Sequence, residues 1–421
     1  MWQVLTSAWA LLLGMCLLMI GNGMQGTLLG IRGEIEGFAT FEMSIVMSAY
    51  FLGFLGGSRL APGMIRRVGH VRVFAALASL ISAVMILYPT LTDVWVWTLG
   101  RVLIGFCFSA VYVTAESWLN NAATNENRGQ SLSLYMIVQT SGIVLSQALL
   151  LTADPSGYVL FVIPSILVSV AITPILLSIS PTPAFEATKP MSLRELVNVS
   201  PLGCVGMFLL GGVFSAQFGM APVYGTIAGL SVAQISTFVA TFFVGSMLLQ
   251  YPIGWISDRV DRRLLILVVS GIGVVGSAIG ALFGSNFTLL LLSAFVVGGM
   301  SNPLYSLLLA HTNDFLEHED MAAASGGLIF INGLGAILGP IITGSMMDAF
   351  GPGGFYMFTA FLFASLVVYA GYRATRRGAV SVEETGAYVP VAPSYSPVAI
   401  ETAQEYAIET ELEAEDGATT A

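Results

Sequence analysis

Twelve stretches of about twenty predominantly apolar residues follow one another along the chain: 5–31, 43–65, 72–91, 95–118, 130–151, 157–179, 202–225, 232–256, 263–284, 287–310, 325–347 and 355–375. Coiled as an α-helix, a run of that length matches the ~30 Å hydrocarbon core of a bilayer. Lipid supplies no partner for backbone N–H or C=O groups, so each run must satisfy its own. Only 10% of the 421 residues are charged, against roughly 25% in soluble domains. The fold class is therefore an all-α integral membrane protein with twelve transmembrane helices. No Lys or Arg precedes the first run, which is too long for the apolar region of a signal peptide and reads as a retained span.

Lys and Arg set the expected orientation. With both termini cytoplasmic, the inner segments hold Arg66, Arg67, Arg72, Arg128, Lys189, Arg194, Arg259, Arg262, Arg263, Arg373, Arg376 and Arg377, and the outer loops hold only Arg32. Arg59 and Arg101 fall inside spans. The net charge of −10 is dominated by the end of the chain, since nine acids and no base lie between Gly378 and Ala421. It therefore gives no argument for a basic or acidic partner, and nucleic acid is not expected. That tail, rich in Ala, Glu, Thr, Val and Pro, is expected to be cytoplasmic and disordered. Cys16, Cys107 and Cys204 are scattered singly, without ligand spacing, and read as small buried apolar residues.

The densest charge cluster between two apolar runs is Gly254-Trp255-Ile256-Ser257-Asp258-Arg259-Val260-Asp261-Arg262-Arg263. An offset of 192 residues lays it on Pro62-Gly63-Met64-Ile65-Arg66-Arg67-Val68-Gly69-His70, with Arg67 on Arg259 and Arg66 on Asp258. The same offset pairs Gln25 with Gln217. An offset of 193 pairs Gly105 with Gly298, Tyr112 with Tyr305 and Gly142 with Gly335. A near-constant offset across six spans predicts two pseudo-symmetric six-helix bundles, 1–179 and 201–377, joined by a polar linker over 180–200 and followed by the tail 378–421. Two such halves with a site between them near the midplane are one arrangement of secondary transporters.

These residues resemble the major facilitator superfamily. Gly254-x-x-x-Asp258-Arg259-x-x-Arg262-Arg263 is similar to its cytoplasmic signature loop, with Asp261 where that family usually has Gly. Arg101-Val-Leu-Ile-Gly105 resembles its Arg-containing fourth-helix motif, and Gly335-Ala-Ile-Leu-Gly339-Pro340 with Gly344 and Asp348 its usual eleventh helix. A narrower resemblance, to the bacterial YcaD-like branch, rests on Tyr50-Phe51-x-Gly53, Glu116-Ser117 and Asn127-Arg128-Gly129 before Tyr135-Met136. The Gly-Pro pattern of drug/proton antiporters in the fifth helix is missing, since Gly142-Ile-Val-Leu-Ser146-Gln147 has no proline. The resemblance implies that Arg66, Arg67, Arg128, Gly254, Asp258, Arg259, Arg262 and Arg263 belong to a cytoplasmic gate. It also implies that helices 1, 4, 7 and 10 line the cavity.

An ionisable residue inside a span is a functional candidate by default. Arg101 suits an anion contact or a partner for a protonatable group, or else a structural bridge between helices 4 and 1. Glu116 could carry a proton if buried, or could sit in water at its helix end beside Arg128. The repeat places Ala294 and Leu309 opposite them, so the ionisable chemistry lies in the first half. Arg59 reads as a side chain snorkelling to the inner interface. Neutral polar candidates are Asn22, Gln25, Gln139, Gln147, Gln217, Asn302 and Asn332, with Tyr112 and Tyr305 as a symmetric aromatic pair; for each the alternative is an interhelical hydrogen bond. Gly21-x-Gly23-x-x-Gly26 and Gly271-x-Gly273-x-x-Gly276 match a dinucleotide fingerprint outside any βαβ unit and read as packing motifs. His70, His311 and His318 are expected in cytoplasmic loops, too dispersed for a metal site, and no cofactor is expected.

The expected function is movement of a small solute across a bacterial inner (plasma) membrane by alternating access, with protons as the expected coupling ion and a monomer as the working unit. Proton-coupled efflux of drugs or metabolites is the alternative. An intramembrane enzyme would need a nucleophile with a base, or metal ligands, at membrane depth. A receptor would be expected to carry a larger output domain.

Overall fold

The computed structural model describes residues 2–122, 128–177, 191–376, 386 and 388–406. Its helices are α1 (Trp2–Ile35), α2 (Thr40–Val68), α3 (His70–Thr90), α4 (Val94–Ala122), α5 (Arg128–Leu149), α6 (Val159–Leu177), α7 (Leu193–Val199), α8 (Pro201–Ser215), α9 (Ala221–Ile227), α10 (Val232–Ser257), α11 (Arg262–Phe283), α12 (Phe287–Asn313), α13 (His318–Phe350) and α14 (Gly354–Ala374). α8, a π turn over Ala216–Met220 and α9 together make the seventh of twelve helical segments long and apolar enough to span a bilayer. α7 is a surface helix of about two turns, opened by a capping box in which Ser192 and Glu195 satisfy each other's backbone N–H.

Helix pairing repeats between the halves. α2 packs on α4 as α10 packs on α12, α1 on α5 as α8 on α13, and α3 on α6 as α11 on α14. Lipid offers no hydrophobic drive for such contacts, so close approach through small residues does the work. The repeated glycines supply it. A methyl group at Gly105 would strike the Tyr50 carbonyl, and one at Gly298 would strike Phe242. Gly142 lies against Cys16 and Met19 of α1, and Gly335 against Phe208 of α8. Gly21 and Gly23 face α6 and α5, and Gly273 and Gly276 face α14 and α12, so two glycines of each motif serve helix packing, while Gly271 faces open space. Large apolar side chains such as Trp95, Leu282 and Val368 stand outward on the lipid-facing surface.

The end of the molecule that carries Arg66, Arg67, Arg259 and Arg263 is called the basic end here, and the opposite one the far end. At the far end the two halves close on each other. Gly30 of α1 abuts Pro222 and Val223 of α9, Gly344 of α13 abuts Ser44 of α2, and Ser48 Oγ donates to the Ile337 carbonyl at 2.5 Å. Toward the basic end the described tail residues lie between the halves, bonded to Gln250 and Ser306 of the second and to Glu116 of the first.

The tail departs from the expectation of disorder over 378–421. Residues 388–406 run into the gap between the halves and end in a helix over 397–406. Val391, Tyr395, Ala399, Ile400 and Ala403 are buried. The physical reason is local composition: of the nine acids after Gly378 only Glu401 and Glu405 fall in this segment, and the rest flank it. Residues 377–385 and 407–421, and most of the 180–200 linker (178–190), lie outside the described residues.

Candidate functional site

Between the halves lies a cavity of about 170 Å³. Its walls are images of each other under the repeat. Tyr50, Phe51 and Phe54 of α2 stand at the positions of Phe242, Phe243 and Ser246 of α10. Met136, Gln139, Thr140 and Ile143 of α5 stand at those of Ile329, Asn332, Gly333 and Ala336 of α13. Asn22 of α1 faces Phe214 of α8 in the same register. Eight aromatic rings line the space, four from each half: Tyr50, Phe51, Phe54, Tyr112, Phe214, Phe218, Phe242 and Phe243. Toward the basic end Ala392, Pro393 and Ser394 of the tail form its floor.

Of the sequence candidates, Asn22, Tyr112, Gln139, Gln217, Asn302 and Asn332 line the cavity. Asn22 Nδ2 donates to Tyr112 Oη at 3.2 Å and to Tyr50 Oη at 3.5 Å, while its Oδ1 has no partner. Gln139 accepts from Ser394 Oγ at 3.2 Å, and its Nε2 has none. Each amide thus keeps one buried atom unmet, and an unmet buried polar group costs roughly 1–3 kcal/mol. Gln217 exchanges hydrogen bonds with Ser301 at 3.3 Å. It owes its place to the π turn. Pro222 cannot donate to the Phe218 carbonyl, the Ala221 N–H reaches back five residues to Ala216, and the turn widens at Gln217 and Phe218.

The repeat partner of Pro222 is Gly30, so α1 has no such bulge. Gln25 is accordingly fully buried behind the wall, with neither amide atom partnered. Tyr305 also lies behind it, its ring against Phe214 at 6.1 Å. Gln147 and Asn332 bridge helices, donating to the carbonyls of Gly23 and Met207 at 3.4 and 2.9 Å.

Arg101 is 0% exposed and stacks 4.7 Å from the Tyr50 ring, a cavity residue. Its three guanidinium nitrogens have no hydrogen-bond partner among the described residues. Glu116 is 2% exposed, not solvated at a helix end. Its carboxylate accepts from Tyr135 Oη at 3.1 Å and from the Ser396 backbone N–H of the tail at 2.8 Å. The exposed Arg59 stacks at 4.1 Å on Phe330 of the opposite half. His70 and His311 are not in loops: both are buried at helix ends, and His70 Nε2 meets Ser117 Oγ at 3.0 Å.

In the signature loop, Arg262 is buried and forms an ion pair with Asp314, a partner that carries no motif of its own. Asp258 caps α10 and accepts from the Tyr388 N–H at 2.8 Å. Gly254 leaves room for the Tyr388 ring, and Gly129 for that of Tyr406. Arg259 stacks on Trp255 at 4.1 Å, Arg263 pairs with Asp261, and Arg66 and Arg67 are exposed. The side chain of Arg128 lies outside the described residues.

The family model of the Major Facilitator Superfamily matches residues 11–232 and 203–398. The chain belongs to that superfamily. It is 26% identical over 342 residues to the uncharacterised MFS-type transporter YcaD of Salmonella arizonae, covering 80% of this chain and 88% of the relative. To YcaD of Escherichia coli it is 27% identical over 348 residues, covering 81% and 88%. It falls in the YcaD-like branch. Among solved structures, the nucleoside transporter NupG superposes with a TM-score of 0.74 at 14% identity, over 87% of this chain and 99% of that one. A bacterial homolog of the human lysosomal transporter Spinster, inward-facing and unoccupied, gives 0.70 at 13%, over 88% and 95%. Family and fold together make the protein a multi-pass inner-membrane transporter of a small solute, rather than an enzyme.

Proposed function

We propose that this superfamily member carries an uncharged, ring-bearing solute through the central cavity by alternating access of its two halves, driven by protons. The observation that carries the reading is the lining: eight aromatic rings with amides and hydroxyls between them, and no Asp, Glu, Lys or Arg among the described lining residues. Aromatic faces stack on flat rings, and the unmet atoms of Asn22 and Gln139 suit a solute that both donates and accepts. A charged solute would enter a low-dielectric space with no counter-charge. A nucleoside fits that description, and a nucleoside transporter is among the fold neighbours. The twelve-to-one distribution of Lys and Arg supports placing the basic end in the cytoplasm.

Glu116 is the proposed proton carrier, supported by its burial and its place beside the gap between the halves. Arg101 and Tyr50 are the proposed link between that half's charge and the wall. Efflux of varied apolar compounds against protons is the second reading, favoured by the aromatic share of the lining, which accommodates many shapes.

The test is a panel of nucleosides, aromatic metabolites and apolar cations in proteoliposomes, with and without a pH gradient. One neutral class accumulating only with the gradient supports the first reading, and gradient-driven export across many apolar classes supports the second. Glu116→Gln should still carry solute downhill while losing the gradient's effect; unchanged gradient dependence sinks the proton carrier.

A further inference from the structure

The tail ties the two halves together toward the basic end. On the second half, Gln250 Nε2 donates to Tyr388 Oη at 3.0 Å, and the Val391 N–H donates to Ser306 Oγ at 3.0 Å. Ser306 Oγ returns a bond to the Val391 carbonyl at 3.2 Å. On the first half, Ser394 bonds Gln139, the Ser396 N–H bonds Glu116, and Tyr395 stacks on Tyr135 at 5.8 Å. Its helix then crosses back, Gln404 donating to Ser325 of α13 at 3.0 Å. Between these anchors the stretch 392–394 closes the cavity from the basic side.

From this geometry we infer that residues 388–406 are a plug in cis, which shuts the cavity's route to the basic end and must leave before solute can pass there. A tethered segment meets its site at an effective concentration on the order of millimolar, so a set of ordinary hydrogen bonds and buried apolar groups keeps it seated. The same segment occupies the volume into which the halves would move to close the basic end. Ser394 also makes the plug part of the wall, since it holds one atom of the Gln139 amide that the solute would otherwise use. Two motif glycines serve the seat, because a side chain at Gly254 or Gly129 would displace Tyr388 or Tyr406. The inference rests on the proposed cavity only for its consequence for flux; seating and access are measured without any solute.

The experiment uses the full chain in detergent, where both ends are accessible, with Cys16, Cys107 and Cys204 replaced by Ala. Ser306 touches the Val391 backbone at 3.0 Å, so Ser306→Cys with Val391→Cys should be joined by a short bifunctional thiol reagent. Thr140→Cys, in the cavity wall, should react slowly with a bulky maleimide in the full chain. Truncation after Thr385 should speed that reaction at least ~10-fold, as a deep site becomes open. Ile400→Asp in the full chain, which puts a charge at a buried seat of the tail helix, should do the same without removing residues. Absence of the cross-link, or equal labelling rates in the full chain and both tail variants, overturns the plug.

Discussion

The two walls of the cavity share one frame and differ in chemistry. Tyr50 and Phe242 occupy the same register, as do Gln139 and Asn332, and Gly105 and Gly298 bring the same pairs of helices together. Yet Arg101 and Glu116 of the first half have Ala294 and Leu309 as counterparts, and Asn22 has Phe214. Duplication therefore preserved what builds the walls, the glycine crossings and ring positions, while the positions of Arg101 and Glu116 are charged in the first half alone. In a rocking mechanism each half can remain a rigid body while only one carries a titratable group. The second half diverged in backbone instead, with the π turn that Pro222 imposes at Gln217.

The largest expected effect breaks the shared frame. Gly105→Leu and Gly298→Leu each drive a side chain into a backbone at the repeat-equivalent crossing. Overpacking by flexible groups costs ~1–3 kcal/mol, and a collision with backbone should exceed it. Both variants should lose monodisperse protein on size exclusion to the same degree. Tolerance in one half alone would show that the two crossings are not equivalent.

The charge asymmetry is sharpened by two changes in the first half. Glu116→Gln should abolish gradient-driven accumulation, at least ~10-fold, and leave exchange of solute across the membrane intact. Arg101→Met is expected to raise the melting temperature. Burying a cation costs several kcal/mol even after relaxation, and with no hydrogen bond among the described residues to offset it Arg101 leaves that cost standing, which an apolar residue of similar length removes. The same variant should transport less, because the field on Tyr50 is gone. A fall in melting temperature with full specific activity would make Arg101 a structural residue.

Spans, the repeat and the signature loop were legible in the sequence because each rests on a one-dimensional signal: length, offset or charge spacing. The lining was half legible. Amides stand out in an apolar helix, so Asn22, Gln139, Gln217 and Asn302 could be picked, but Gln25 and Tyr305 could not be told from them without the bulge at Gln217. Apart from Tyr112 the aromatic rings were missed, because Phe in a span faces lipid as readily as a cavity, as the exposed Phe361 does. The offset held the answer, since it already paired Tyr50-Phe51 with Phe242-Phe243. The seated part of the tail was hidden by counting acids over 44 residues instead of asking where they fell.

The smallest expected effect comes from making the walls more alike. Tyr50→Phe gives the first half the ring its partner already has at Phe242, and removes one hydroxyl that accepts from Asn22 at 3.5 Å. Asn22 keeps its shorter bond to Tyr112 at 3.2 Å, so the amide stays aimed. The stack beneath Arg101 stays too, since it uses the ring and not the hydroxyl. An interhelical hydrogen bond inside a membrane contributes on average ~0.6 kcal/mol, which is about a threefold rise in KM at unchanged kcat. The reciprocal Phe242→Tyr should move KM by a similar factor, as it places a hydroxyl at the mirrored position. A loss above tenfold in Tyr50→Phe alone would mean that the hydroxyl meets the solute directly. Recognition would then be as one-sided as the charge, with the second half supplying shape alone.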